Sequence, residues 1–377
     1  MANLDLPAIN IVRASLALAV MLIASAMDVR TRRVSDWLWA VMGAGGIILL
    51  SAQLAITNSP PVYYLILFPV IVIFADVFAD REPLYDGKRG KLNLPWAFLF
   101  ALTGSVLVIM LWKYGNDINF LVPFTVPAMM LVAYFLYYTN LLHGGADAKA
   151  LLSVSILLPV YPHIGQFPVW DLQRMGDMTT VIIPFGLTML MNAVLISIIV
   201  PVSYAVYNLS RRDIRAPAMF LGYRIELGRI DRRKMWLMEK VGSEKLVIRY
   251  MPDRDCGDEP DSAGGTVSDS REDDRDKDDS SDGLENDKSD DCGDEVDDGK
   301  RLEKATKRDM DDLDEDELDK LDKEQFDSEI KKLREYGAVK VWVTPKLPFI
   351  VFMTTGLVIS LLLGNILFGI MSGLFHA

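Results

Sequence analysis

Long apolar runs recur along the chain, separated by short polar stretches. They predict spanning helices at roughly 6–27, 37–56, 61–79, 95–112, 120–139, 146–162, 179–204 and 347–375. Most approach the ~20 apolar residues that cross a ~30 Å hydrocarbon core; the sixth is short and begins with polar residues. The polar stretches test this count. With the N-terminus outside, the inner connections carry Arg30, Arg32 and Arg33, then Arg81, Lys88, Arg89 and Lys91, then a short turn beside Lys149, then Arg211, Arg212 and Arg215. The outer ones carry Lys113 and Arg174 and little else. That alternation follows the positive-inside rule. The expected fold class is a polytopic α-helical membrane protein with about eight transmembrane helices and a small cytosolic α+β insertion between the last two. Residues 1–204 are expected to form the membrane core, 205–345 a cytosolic loop domain and 346–377 the last transmembrane helix. The expected location is the cell (plasma) membrane.

The first helix ends Ile23-Ala24-Ser25-Ala26, which looks like a signal-peptide cleavage site. However, Met1 to Asn10 holds one Asp and no Lys or Arg, and the basic cluster follows the apolar run. That is the pattern of a retained helix.

The long inner segment has a pattern of its own. Lys245 to Tyr250 reads as a strand. In 302–335, Leu313, Leu318, Leu321, Phe326, Ile330 and Leu333 recur at helical spacings, which predicts an amphipathic helix. Val339 to Val343 alternates apolar and polar, and is expected to pair with the strand near 246–250. Residues 252–299 are rich in Asp, Ser and Gly with few aromatics, a composition expected to be disordered.

Charge sharpens this division. The 377 residues are 51% hydrophobic with a net charge of -12. Residues 253–299 carry 21 acidic and 5 basic side chains, a local charge of -16, so the remainder is at +4. The body is apolar and slightly basic, with an acidic insertion. Both cysteines, Cys256 and Cys292, lie in that insertion without close partners, so no structural zinc site is expected. The acidic run is read as a solvated linker; steering of basic substrates is the sharper alternative.

Membrane interiors penalise charge, so acids near membrane depth are candidates for chemistry. Asp28 lies at the inner end of the first helix, in Met27-Asp28-Val29-Arg30-Thr31-Arg32-Arg33-Val34-Ser35-Asp36. Asp147 begins the sixth, in His143-Gly144-Gly145-Ala146-Asp147-Ala148-Lys149. The topology, drawn from basic residues, places both at the cytosolic face. Two carboxylates that meet there can share one proton, activate a water and polarise a peptide carbonyl. Glycines before Asp147 admit a close backbone approach. Each residue also has a plainer role: Asp147 as a helix N-cap, Asp28 as an interfacial acid beside arginines, and Asp36 as the N-cap of the second helix. Lys149 either stabilises an ionised Asp147 or snorkels to the interface. Asp76 and Asp80 share a helix face and read as interfacial polar residues or as lining of the cleft. His143 reads as a loop histidine beside the glycine motif.

These motifs resemble the archaeal branch of the type IV prepilin peptidases, which includes the preflagellin peptidases; these are GxGD-type intramembrane aspartic proteases. Asp28 through Asp36 is similar to the first family motif. Gly144-Gly145-Ala146-Asp147 is similar to the second, with Ala146 where the second glycine is expected. Phe220-Leu221-Gly222-Tyr223-Arg224 and Val341-Trp342-Val343-Thr344-Pro345-Lys346-Leu347-Pro348-Phe349 also resemble that branch. The resemblance implies catalytic Asp28 and Asp147, supported by Gly144, Gly145, Ala146, Asp36 and Lys149, with no metal and no cofactor. It implies removal of a short basic leader from pilin-like or archaellin-like precursors at the cytosolic face of the lipid bilayer. Nucleic acid is not an expected partner. The paired-cysteine loop of the methylating bacterial relatives is missing, so no N-methylation is expected. The family's simplest members have six spans; two more lie between the motifs here.

A second reading is an ion- or proton-coupled transporter using intramembrane acidic residues. It expects acids near the midplane and often an inverted repeat; here the prime acids cluster at one face and no repeat is visible. A membrane anchor for the cytosolic domain leaves both aspartates and the glycine motif unexplained. A presenilin-like protease expects a tyrosine before the first aspartate, where this chain has Met27.

Overall fold

The computed structural model describes residues 7–78, 85–86, 91–139, 141–142, 144–170, 176–232, 234–241, 246–248 and 315–376. The acidic insertion, both cysteines, Asp80 and His143 lie outside the described residues. The chain divides into two compact units, Met1–Phe220 with Lys346–Ala377, and Leu221–Pro345.

The first unit is helical. Its helices are α1 (Pro7–Thr31), α2 (Asp36–Ile56), α3 (Leu67–Phe78, preceded by a 3-10 turn at Pro61–Ile66), α4 (Leu94–Tyr114), α5 (Ile118–Tyr138) and α6 (Gly145–Leu157). They continue as α7 (Asp177–Ile182), α8 (Phe185–Ser197), α9 (Ile199–Ser210) and α10 (Ala218–Leu221). A two-residue ribbon, β1 (Tyr85–Asp86) with β2 (Lys91–Leu92), precedes α4.

Among the described residues, six helical stretches are long and apolar enough to cross a membrane: α1, α2, the 3-10 turn with α3, α4, α5, and α8 continued by α9. They support a multi-pass membrane protein. Their outward faces agree, because Phe98, Val108, Ile109 and Trp112 of α4 are all exposed, a surface suited to lipid rather than water.

Eight spans are expected from the apolar runs, and the two outside these six are built differently. Residues 146–162 yield only the 13-residue α6, about 20 Å long at ~1.5 Å per residue. Pro159 and Pro162 follow closely, and proline cannot continue the backbone ladder. Residues 347–375 yield two helices, here α12 (Phe349–Leu362) and α13 (Ile366–His376). The chain leaves helix at Gly364, whose φ of 88 is left-handed. Buried Asn192 of α8 repairs that break. Its Nδ2 donates to Ser360 Oγ and to the Gly364 carbonyl, both at 2.8 Å, and its Oδ1 accepts from Ile366 N–H at 3.1 Å. Irregular backbone at membrane depth needs such internal partners.

α6 is the hub of this unit, packing on α2, α5 and α8 and more lightly on α1, α3 and α12. Every residue from Ala150 to Leu157 is buried, the signature of a helix enclosed on all sides. The approach to α2 is close enough to need glycine: a Cβ on Gly46 would lie 2.8 Å from the Leu157 backbone nitrogen.

The second unit holds a three-stranded antiparallel sheet in the order β3–β7–β4 and a separate β5–β6 ribbon. The strands are β3 (Tyr223–Glu226), β4 (Met235–Leu237), β5 (Glu239–Val241), β6 (Leu246–Ile248) and β7 (Lys340–Pro345). Helix α11 (Glu315–Glu335) supplies Leu333 to a small core with Leu227, Val341 and Val343. This corrects the expected pairing of 339–343 with 246–250. β7 is central, with Val341 opposite Ile225 and Val343 opposite Tyr223 and Leu237. β6 pairs instead with β5, its neighbour in sequence, where the closing loop is short and entropically cheap. Tyr223–Glu226, not read as a strand from the sequence, takes the place expected for β6.

Candidate active site

Asp28 lies in the last turn of α1. The helix stops four residues later, where Arg32 N–H bonds the Asp28 carbonyl at 3.0 Å and Arg32 adopts φ 58. The Asp28 carboxylate lies near the Ile350 backbone N–H in the first turn of α12 and near the Arg32 charge. One face of α1, formed by residues 21, 25 and 28, is stitched to that helix. Ser25 Oγ and Thr354 Oγ1 are 2.6 Å apart, and Thr354 Oγ1 also donates to the Met21 carbonyl at 3.2 Å. The first turn of a helix has amide groups without intrahelical acceptors, so a carboxylate there answers a real need.

Asp147 sits in the first turn of α6, with Gly144 as the N-cap. It is therefore the third helical residue rather than the cap itself. An acid at that position folds back toward the start of its helix. A Cβ on Gly144 would sit 2.5 Å from Asp147 Oδ2, so the carboxylate occupies the space a side chain at 144 would take. Gly145 is different: among the described residues, nothing lies within 4 Å of its would-be Cβ. Ala146 is half-buried against the helical core.

α1 packs on α6, and the charge of Asp28 reaches Asp147. The structure also joins Asp36 to Lys149. Lys149 Nζ lies 2.7 Å from Asp36 Oδ2 and 5.5 Å from the centre of the Phe78 ring. Lys149 thus has Asp36 as its partner. Asp36 is the first residue of α2, with Ser35 as the N-cap, which moves the expected cap by one position. The ion pair ties the stretch after Asp28 to the helix that carries Asp147.

Other residues around the site carried no clear signal in the sequence. Ser25, Ile350 and Thr354 look like ordinary helix residues, and only the 325- and 329-residue separations closed by Ser25 reveal their role. Asp76, expected at an interface, is buried, and its Oδ2 accepts from the Tyr134 hydroxyl at 2.8 Å. Among the described residues, no group of three His, Cys, Asp or Glu side chains is placed to hold a metal ion.

Residues 215–366 match the family described as Archaeal Peptidase A24 C-terminus Type II. The matched segment includes Ile350 and Thr354 but neither Asp28 nor Asp147. No curated protein matches the chain, and no solved structure does.

Proposed function

The match over residues 215–366 supports the archaeal prepilin/preflagellin peptidase family, and from that premise we propose that the chain is an intramembrane aspartic endopeptidase with Asp28 and Asp147 as its catalytic pair. Its substrates are pilin-like or archaellin-like precursors, from which it removes a short basic leader at the cytosolic face without N-methylation. The observation that carries the reading is the contact between α1 and α6, across which the charge of Asp28 acts on Asp147, 119 positions away in the sequence.

The chemistry follows from that contact. Two neighbouring carboxylates ionise together only at a cost, so the pair holds one proton, which belongs to the pair rather than to either residue. The ionised carboxylate takes a proton from a water as the water oxygen bonds to the peptide carbonyl carbon. The protonated carboxyl gives its proton to the carbonyl oxygen. Collapse of the tetrahedral diol breaks the C–N bond, and the departing nitrogen takes a proton from the dyad. The diol loses its extra proton back to the pair, which returns to its one-proton state. Gly144 leaves the Asp147 carboxylate room, and the Asp36–Lys149 ion pair holds α6 to the start of α2.

The test is leader processing in membranes. A basic-leader pilin precursor is expressed with wild type, Asp28→Asn or Asp147→Asn, and its size is followed by immunoblot. Cleavage by wild type alone is expected. Near-normal turnover in either variant would remove that residue from the pair. Failure of a well-inserted wild type on several precursors would favour a transporter built on intramembrane acids.

A further inference from the structure

A cavity of about 240 Å³ opens among α3, α5 and the first turns of α6. On α6 it is lined by Gly145, Ala148, Lys149 and Leu152, which recur at the three- and four-residue spacing of one helix face. Asp147 belongs to another face and is not among the lining residues. The cavity is therefore on a different side of α6 from the catalytic carboxylate, and the proposed cleavage does not use it. Its polarity is graded with depth. Tyr137 and Tyr138 are the last two residues of α5, at the level where a membrane-length helix meets the lipid headgroups. Ala133 and Leu152 lie one turn deeper, on α5 and α6, and give the cavity an apolar floor.

The groups at the mouth are hydrogen-bond donors. The Tyr134 hydroxyl is spent on Asp76 at 2.8 Å. Among the described residues, neither the Tyr137 nor the Tyr138 hydroxyl has a hydrogen-bond partner. Lys149 has three ammonium donors, of which Asp36 at 2.7 Å takes one. The start of α6 adds its positive end and first-turn amides that lack intrahelical acceptors. Gly145 leaves that backbone open, because it is exposed and no described residue lies within 4 Å of its would-be Cβ. Asp76 is the one acid among the described lining residues. It is 8% exposed and bonded by Tyr134, one turn deeper than Tyr138, so the mouth itself stays a set of donors. Arg30, Arg32 and Arg33 precede Asp36, the partner of Lys149, and make the rim at this end of the bundle basic.

Donors at headgroup depth above an apolar floor match a glycerophospholipid, whose phosphate oxygens accept hydrogen bonds and whose chains begin just below them. We propose that this cavity holds the headgroup of a phospholipid from the leaflet on the aspartates' side, with its phosphate on Lys149, Tyr137 and Tyr138 and its glycerol and first methylenes against Ala133 and Leu152. A phosphate there shares the Lys149 charge with Asp36 and weakens the tie between α2 and α6. Lys149 is two positions from Asp147, so the composition of the bilayer reaches the helix that carries this aspartate. The lipid site itself does not depend on the peptidase reading.

The experiment uses the full-length protein, purified in a neutral detergent, and native mass spectrometry. The probes are phosphatidylglycerol, a diacylglycerol with the same chains, and inorganic phosphate. Wild type is expected to retain phosphatidylglycerol and neither of the others. Tyr137→Phe combined with Tyr138→Phe removes two hydroxyls from exposed residues and keeps both rings; it should weaken retention about tenfold. Gly145→Leu, which fills open space, and Lys149→Gln should weaken it by a similar factor. Equal retention of diacylglycerol would reduce the cavity to an apolar slot, and occupation by inorganic phosphate alone would assign it to a free anion; either result overturns the lipid assignment. Unchanged retention in the tyrosine and glycine variants would overturn it too, because the bound lipid would then lie elsewhere on the bundle. So would failure of wild type to retain phosphatidylglycerol.

Discussion

The start of the helix Phe349–Leu362 lies close to the Asp28 carboxylate, with the Ile350 backbone N–H as the group that acts on it. One member of the proposed pair is therefore near the positive end of a helix, and that helix lies in the segment matched to the A24 peptidases. Ser25 and Thr354, one turn further along each helix, lock the same contact.

Thr354→Val should separate effects on position from effects on fold. It removes the 2.6 Å contact with Ser25 and the bond to Met21, each worth about 1 kcal/mol in such settings. The thermal midpoint in detergent should fall by a few degrees. Turnover should fall further, by tenfold or more, because Asp28 loses its registration against Ile350. Thr354→Ser should restore most of both. Equal losses of stability and turnover in the two variants would argue that Thr354 only fills space.

Gly144→Ala and Gly145→Ala make a matched pair. The first sets a methyl 2.5 Å from Asp147 Oδ2, and the second sets one in open space. Cleavage should drop about 100-fold in Gly144→Ala, in line with the cost of ~1 Å displacements at a reacting centre. Gly145→Ala should lose far less. A single-turnover assay at saturating precursor distinguishes them, and equal losses would contradict the placement of Asp147.

The Asp36–Lys149 pair is testable by a double-mutant cycle. Lys149 is the more buried partner, at 22% against 59% for the Asp36 side chain. Partial exposure limits its worth to about 0.5–1 kcal/mol. Asp36→Asn and Lys149→Met should each lower thermal stability, and the double variant should fall by less than their sum. The coupling should shrink in high salt. Strict additivity would remove the pair from the structural account.

Asp117 gives a pH dependence away from the site. It lies between α4 and α5, caps α5 by accepting from Asn119 N–H at 2.9 Å, and accepts from the Tyr63 hydroxyl. The Tyr63 bond comes first among the causes that hold the Asp117 carboxyl below its ordinary range. A depressed folded-state pKa means stability that is full above the unfolded value of ~3.9 and lost as pH falls through the lower, folded one. Thermal melts from pH 6 down to pH 3 should show this loss in wild type. Tyr63→Phe weakens the depression, so its acid-linked loss should begin in the same range, be smaller in total and be complete at higher pH. Coincident profiles would show that the Tyr63 bond contributes nothing to this linkage.

Long apolar runs made the six membrane-length helices legible, because hydropathy is local information. The two exceptions show where locality ends. Residues 146–162 look like one span, yet Pro159 ends helical propagation and leaves a short enclosed helix. Residues 347–375 look continuous, because a single glycine is tolerated in an apolar run. Partners distant in sequence, Asn192 and the Val169 and Trp170 amides, satisfy the backbone at the Gly364 break. Asp28 and Asp147 were legible as acids in apolar company, whereas Ile350 acts through its backbone and leaves no side-chain trace. The tyrosines near the end of α5 resemble an interfacial belt until Asp76 is placed beside them. Pairing of β7 was misread, since two short strands competed for it and sequence proximity favoured neither.

The contact between Ser25 and Thr354 also sets an order of events. Asp28 leaves the ribosome early, while the helix that completes its surroundings is made more than 300 residues later. A nascent chain can thus insert its first helices with the α12 support of Asp28 still missing. Maturation of this site waits for the synthesis of α12, and co-expression of the chain in two pieces, split before Phe349, would reveal whether the late piece alone switches it on.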